Sequence, residues 1–390
     1  MMTKHYDIVI IGGGPVGMAV TLALQESGLS ILLMEARGLP EKNEDPRPLA
    51  LSHGSRLILE RLGVWQKLPA NSPITKIHIS NQRGFGRTIL TKDDANVPAL
   101  GYVVNYHALF LSMHALLKQL NGDYLAGAKV AKFETDANQG QVEFQYGSET
   151  RKITAKLLVL ADGGRLTEKV ADINYHIHEY QQWAIVANIK TRTRQQGVAY
   201  ERFTPDGPVA LLPAGENFAL VWTVNPTMAK EVLGLDDATF LARLQKHFGD
   251  RVGSLIGASK RSGFPLALKY ATPITSQRIA LVGNAAQTLH PVAGQGFNLG
   301  LRDAWELANE VLKSTNLGNE IGAPAMLSNY RQKRQTDSSA GRVFTDSLIK
   351  IFSNDSTVLR NIGGIGLSTL DCLPPLKRFV ARRMIFGTKG

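Results

Sequence analysis

Three glycine-rich stretches hold the residues whose types and spacing suit chemistry. Gly12, Gly14 and Gly17 fit G-x-G-x-x-G, directly after an apolar run and at the opening of a helical pattern. Glycines there permit a tight turn and close approach of a pyrophosphate, and the helix N-terminus favours its negative charge. Glu35 lies 18 residues past Gly17, where a carboxylate can accept from ribose hydroxyls and would repel a 2′-phosphate. The pattern predicts an ADP moiety and leaves NAD and FAD open; a ligand-free turn is the rarer case in this context. The second stretch, "LLVLADGG", ends a strand at Asp162-Gly163, which alone reads as a turn or cap. The third, "LVGNAAQTLHPVAGQGFNLGLRDAWELA", runs from 281 to 308. Gly283-Asn284 closes an apolar run, His290-Pro291 precedes Gly294-Gln295-Gly296, and Asn298 begins an amphipathic helix. So bare a backbone at a helix N-terminus suits an anionic or close-fitting group held by N–H donors.

The elements that must position these residues follow from periodicity. The N-terminal block predicts a strand at about 6–11, a helix at 15–26 ended by Gly28 and a strand at 30–35, a βαβ unit. A short helix starts near Ser52 or Ser55 and ends at Gly63, and residues 74–92 read as a β-hairpin around a Gly-containing turn. A helix at 105–120 precedes strands near 128–134, 141–146 and 156–161. Residues 171–270 change to short strands separated by turns, with one helix at 237–248. From 278 a strand leads into a long helix with core spacing Ala304, Leu307, Ala308, Val311, Leu312. The tail beyond 325 reads as helical and basic, broken near Gly363, Gly364 and Gly366.

Length predicts two or three domains. The single cysteine, Cys372, excludes an intrachain disulfide and a Cys-based metal cluster and favours a reducing, cytoplasmic setting. The uncharged run 8–24 contains four glycines and Pro15, which argues against a signal peptide or a membrane span. Net charge is +11, and residues 331–390 hold 11 Lys/Arg against 4 Asp/Glu. That excess suits an anionic partner or simply a solvated basic face. Nucleic acid is not expected, because no binding motif or aromatic-interleaved basic run is present.

Taken together, the three motifs resemble the signature of the group A flavoprotein aromatic hydroxylases over nearly the whole chain. Within that group, "ERFTPDGPVALLP", "GNAAQTLHPVAGQGFNLGLRD" and "PPLKRFVARRMIFG" are most similar to the ubiquinone-biosynthesis flavin hydroxylases, in particular those acting on 2-polyprenyl-6-methoxyphenol. The resemblance implies an α/β protein of the para-hydroxybenzoate hydroxylase fold. Its Rossmann-type FAD-binding domain would comprise 1–73, 100–170 and 271–330, with an inserted antiparallel β-sheet substrate domain at 74–99 and 171–270 and a C-terminal helical segment at 331–390. FAD would be the cofactor, NADPH or NADH the electron donor, O₂ and a polyprenyl phenol the substrates; no metal is implied. Glu35 would hold the adenosine ribose, Arg47 would lie over flavin and pyrophosphate, and Val130 would meet adenine through its backbone. Asp162 and Gly163 would belong to the cofactor site, as would Gly283 and Asn284 near the ribityl or pyrophosphate region. Pro291 and Gly294, Gln295 and Gly296 would border the isoalloxazine, with Asn298 starting the helix behind. His290 is the one ionisable side chain of that loop and a candidate base, although bracing the loop is the commoner role for such a residue.

Departures from the family pattern are Asn284 for the usual Asp, Leu166 and Lys169 for the usual Ser and Arg, and His107 where relatives commonly carry Arg. Flavin-dependent halogenases share the fold, but Trp65, Trp183, Trp222 and Trp305 never form their Trp-x-Trp motif. Two alternatives stand: a hydroxylase of another ring position in the same pathway, and a non-catalytic FAD-binding subunit of a biosynthetic assembly. "GPVALLPAG" carries no charge to hold a carboxylate, which suits a polyprenyl phenol; equally, Leu211 and Leu212 could fill the core. Such a substrate must come from a membrane or a lipid-carrying partner. Phe344, Leu348 and Phe352, then Phe379, Val380 and Met384 beside Lys377, Arg378 and Arg382, suit a contact with the inner face of a membrane or a multienzyme complex. Arg383 interrupts the second stripe, so packing on the protein's own core is the equal alternative.

Overall fold

The computed structural model describes residues 4–38, 47–82, 85–120, 122–194, 196–353 and 356–389. Its first sheet is built on the N-terminal unit. Lys4–Ile11 lies between Ile31–Glu35 and Glu149–Leu160, parallel to both, so that Ile8 faces Ile31 on one side and Leu157 on the other. Asp123–Ala126 extends the sheet at one edge, Ile279–Leu281 and Thr275–Ser276 at the other. Side chains of a strand alternate between faces, and here both faces are covered. Ile8, Ile10, Leu157 and Val159 pack under the helices Pro15–Leu24, Tyr106–Gln119 and Gln295–Asn316. Val9, Ile11, Leu158 and Leu160 pack with Val142 and Phe144 of the antiparallel strands Ala128–Thr135 and Gly140–Tyr146. The near-continuous apolar run at 8–11 is the consequence of burial on both sides.

The second sheet has nine strands, among them Asn174–Thr191, Asn217–Val224, Gly207–Ala214 and Val198–Thr204 in spatial order. Alternation again decides where each residue goes. Ile185, Val209, Leu211, Leu220 and Trp222 pack against Phe240 and Leu244 of the helix Asp237–Phe248. Val186, Ala210, Leu212 and Val221 point the other way, into a cavity. Leu211 therefore fills core while Leu212 lines open space, so the two readings of that pair divide between its members. The hairpin Lys76–Asn81 and Arg87–Thr91 joins this sheet through a parallel pairing of Lys76–Asn81 with Val198–Thr204; part of its turn, 83–84, lies outside the described residues. A second helix, Pro226–Gly234, capped by Asn225 through the Met228 N–H, packs on the same sheet through Ala229 and Val232, where the sequence predicted only the helix at 237–248.

The tail departs from expectation in two ways. A single helix, Pro324–Phe352, runs through the boundary placed at 330/331. The helix Thr357–Cys372 continues through Gly363, Gly364 and Gly366 without a break. Those glycines serve close packing: a Cβ on Gly363 would sit 2.5 Å from the Phe352 ring, and one on Gly364 would sit 2.5 Å from the Phe85 carbonyl oxygen. Of the two readings of the apolar stripes, packing on the protein's own core is the one their placement favours. Phe352 is buried, and Phe344, Leu348, Val380 and Met384 line the cavity, while Phe379 alone of the six is exposed. No helix among the described residues is long and apolar enough to cross a membrane.

Candidate active site

A cavity of about 920 Å³ runs from the first glycine turn to the inner face of the second sheet, within the size range of cofactor and ligand sites. At its polar end the backbone conformation explains the glycines. Gly12 has φ +120, and a Cβ there would collide with the Ala161 carbonyl; a Cβ on Gly17 would collide with the Gly12 carbonyl. Strand, turn and helix thus touch backbone to backbone. Gly14 differs, because a Cβ there would meet nothing within 4 Å. It is the N-cap of Pro15–Leu24 and offers no capping side chain, which leaves first-turn N–H groups without an intrahelical partner beside the cavity. Glu35 accepts from the Gly13 N–H at 2.9 Å and from Arg37 Nε at 3.1 Å, locking the turn and lining the cavity. The carboxylate holds the Arg37 guanidinium above its usual range. Burial, reinforced by Glu35, pushes the Tyr124 phenol up to about 12, so it stays protonated beside the turn.

Arg37, Arg47, Lys129, Arg165 and Lys169 also line this end. Arg47 lies 5.3 Å from the Tyr106 ring centroid, and Val130 borders the same space from the strand Ala128–Thr135. Lys169 and Leu166, the departures from the family pattern, are both lining residues. Asp162 spends its carboxylate on its own turn, accepting from the N–H groups of Gly164 at 3.1 Å and Leu166 at 2.8 Å. Its burial raises the carboxyl above the usual range against the pull of those donors. Gly163, at φ +81, borders the cavity.

The third stretch closes the middle of the cavity. Gly283 has φ +60 and donates its N–H to Asp303 Oδ2 at 3.0 Å, and exposed Asn284 follows it on the cavity wall. Gly294 is the left-handed N-cap of Gln295–Asn316, again without a capping side chain. Pro291, Gly294 and Gly296 line the cavity. Asn298 is buried behind them, accepting from the Ser52 N–H at 2.8 Å and donating to the carbonyls of Ala50 and Gly294 at 2.9 and 2.6 Å. Gln295 is buried too, with its amide reaching toward the Met384 carbonyl. Gly17, Gln295 and Asn298 therefore shape the walls from behind, and the other glycine-loop residues face the space.

His290 also stands behind the wall. It is fully buried, its Nδ1 accepts from the Val292 N–H at 3.2 Å, and its ring meets the Tyr180 ring edge-on at 5.2 Å. Burial lowers its pKa to about 3, so it is neutral at ordinary pH and braces the loop. A depressed folded pKa means the unfolded chain takes up the proton first. Stability is expected to fall as pH drops from about 6.5 toward 3, by roughly 2–5 kcal/mol from this residue, with His247, lowered to about 4 by burial, adding in the same direction. Urea midpoints for His290→Asn should be flatter over that interval; an unchanged pH slope would refute the assignment.

Sequence reasoning missed the support beneath Gly283. Asp303 accepts from Arg334 Nε at 2.6 Å as well as from Gly283, and Arg334 also holds Asp337 at 2.8 Å, which Arg302 binds at 2.8 Å. Asp303, Arg334 and Asp337 are all buried. Arg334 sits in the basic tail, where it counted as one more solvated charge; only its partners reveal it. Glu201 was also missed. It is the acidic residue that the second sheet contributes to the cavity, among neighbours such as Val186, Leu212 and Phe203.

These residues fit a dinucleotide carrying a planar ring: uncapped helix N-termini, a ring of cations, a carboxylate at the glycine turn and open space where a side chain on Gly14 would stand. Comparison with known proteins agrees. Residues 5–340 match the FAD binding domain family. Ubiquinone hydroxylase UbiL of Rhodospirillum rubrum is 32% identical over 386 residues, spanning 97% of this chain and 89% of that protein. The 3-demethoxyubiquinol 3-hydroxylase of Escherichia coli is 29% identical over 391 residues, spanning 97% and 98%. Among solved structures, p-nitrophenol 4-monooxygenase PnpA from Pseudomonas putida DLL-E4 superposes with a TM-score of 0.80 at 15% identity, over 99% of this chain and all of that one, a likeness of fold.

Proposed function

The chain belongs to the FAD binding domain family, among the ubiquinone-biosynthesis hydroxylases, and is an FAD-dependent monooxygenase; on that premise we propose that it hydroxylates a polyprenylated methoxyphenol, using NAD(P)H and O₂. The observation that supports this substrate is the far end of the cavity. Its walls from the second sheet and the tail helices are apolar, including Leu212, Val221, Phe264, Leu348 and Leu370, with Glu201 as the charged exception. A benzoate carboxylate would need cations there. A polyprenyl chain instead gains about 0.8 kcal/mol per buried CH₂, so each five-carbon unit contributes roughly 3–4 kcal/mol.

The redox chemistry that FAD would supply when bound passes two electrons from NAD(P)H to O₂, so that one oxygen atom enters the ring and the other leaves as water. The chain does the rest. Glu35 and the Gly12–Gly14 turn hold the ADP half, and Arg47 with Asn284 orients the middle. Pro291, Gly294 and Gly296 border the ring, with Gln295 behind them, and backbone donors at the start of Gln295–Asn316 stabilise negative charge. The apolar walls exclude water. Glu201 accepts the phenol proton and so raises electron density on the ring.

A short-tailed 2-polyprenyl-6-methoxyphenol analogue should stimulate NADPH oxidation and yield a product heavier by one oxygen, with NMR assigning the ring carbon. That assignment separates this reading from attack at another position, which similarity to the 3-demethoxyubiquinol enzyme supports. FAD-loaded protein giving no phenol-dependent oxidation would overturn the polyprenylated-methoxyphenol reading. Glu201→Gln is expected to lower kcat about a hundredfold at neutral pH with little change in KM. An unaltered pH profile would remove Glu201 from proton transfer.

A further inference from the structure

A second cavity, of about 460 Å³, lies on the opposite side of the hairpin strands from the first. Strand alternation separates them: Ile77, Ile79, Glu201 and Phe203 face the first cavity, whereas His78, Ser80 and Arg202 face the second. Arg87 and Arg251 complete a cluster of three guanidinium groups. Among the described residues no carboxylate forms an ion pair with any of the three. Arg202 donates to Ser80 Oγ at 3.2 Å, while its Nε is buried and lacks a partner. Asp371 lies on the wall, but its carboxylate already accepts from the Ile89 N–H at 3.1 Å, Thr88 Oγ1 at 3.3 Å and Lys377 Nζ at 3.0 Å. Burial and the charge of Arg251 both depress the Arg202 guanidinium, as expected of cations gathered without a counter-ion.

The helix Thr357–Cys372 links this cluster to the active-site cavity and to solvent. Leu367 and Leu370 face the first cavity, Ser368 and Cys372 the second. Between those faces, Ile362 and Ile365 are 51% and 56% exposed. Phe85, 53% exposed, stands beside them, since its carbonyl approaches Gly364. An uncompensated cationic pocket next to exposed large apolar side chains matches a phosphate attached to an acyl chain.

We propose that the Arg87–Arg202–Arg251 pocket binds the phosphate of an anionic phospholipid headgroup, and that Phe85, Ile362 and Ile365 enter the adjacent acyl layer, docking the wall of the substrate cavity on the membrane that holds the substrate. This rests on the polyprenyl-phenol reading for its purpose, and on the pocket and the exposed helix face for its content. The FAD-loaded full chain should sediment with phosphatidylcholine vesicles that contain phosphatidylglycerol and not with phosphatidylcholine alone. The double variant Arg87→Ala, Arg251→Ala should lower that binding about tenfold or more, and Ile362→Ser with Ile365→Ser should weaken it similarly. Both variants should keep their flavin and their turnover of a short-tailed phenol in solution. Vesicle binding unchanged by loss of the arginines overturns the proposal. So does an arginine variant whose only defect is a raised KM for NADPH, which would assign the pocket to a free nucleotide phosphate, with inorganic phosphate competing against NADPH. Vesicle binding is read without substrate, so a failure of phenol hydroxylation would leave this result standing and fall on the proposed substrate alone.

Discussion

Gly14→Leu is expected to give a folded, colourless protein. Gly14 adopts φ −73, which any L residue accepts, and a Cβ would have no neighbour within 4 Å. The fold therefore tolerates the side chain. It would project into the cavity over the uncapped start of Pro15–Leu24, where the pyrophosphate must approach N–H donors. FAD affinity should fall at least about a hundredfold, equivalent to about 2.8 kcal/mol, with circular dichroism and melting near those of the parent. Gly12→Ala provides the contrast: at φ +120 with the Ala161 carbonyl in the path of its Cβ, it should lose stability together with flavin. Gly14→Leu purified yellow, at one FAD per chain, would mean that the cofactor does not use this turn.

The difference between those glycines marks what sequence can and cannot express. The G-x-G-x-x-G spacing with Glu35 was legible because local chemistry imposes it: turn, helix start and acceptor lie within one βαβ unit. The helices Pro15–Leu24, Tyr106–Gln119 and Asp237–Phe248 were legible in the sequence; the caps of the last two, Asn105 and Asp236, emerge only with the structure. Features set by distant partners were not legible. Arg334 looks like any other cation of the tail until Asp303, 31 residues away, appears against it. Glu201 sits in a strand whose register alone decides that it faces the active-site cavity while Arg202 faces the second one. Gly363 and Gly364 read as helix breakers by propensity, yet tertiary approach of Phe352 and Phe85 makes small residues necessary there, and the helix continues. With that helix read as broken, its exposed apolar face was not legible; for the stripes nearby, sequence left membrane contact and core packing as equal alternatives, and the inward placement of most of their members favours the core.

The inward placement of those side chains fixes the expected result of deleting residues 375–390. A segment serving only delivery could be removed with loss confined to long-tailed substrate in liposomes. The structure predicts loss on short- and long-tailed substrates alike. Ala381 and Ile385 are buried with Leu90, Ala95 and Leu100, while Val380 and Met384 form part of the active-site wall. The Thr388 N–H donates to Asp337 Oδ1 at 3.1 Å, tying the end of the chain to the network that carries Arg334 and, through Asp303, Gly283. Re-exposing the apolar cluster alone costs about 5 kcal/mol, at roughly 1.5–3 kcal/mol for each large side chain. Opening the cavity wall adds water where the ring must be kept dry. The truncated protein should melt roughly 5–10 °C lower, hold substoichiometric FAD and turn over both substrates poorly by the same factor. A truncated protein with full flavin, unchanged melting and a defect only on the long-tailed phenol in liposomes would show that this helix contributes nothing to the core, and that its inward-facing residues are dispensable for the cavity.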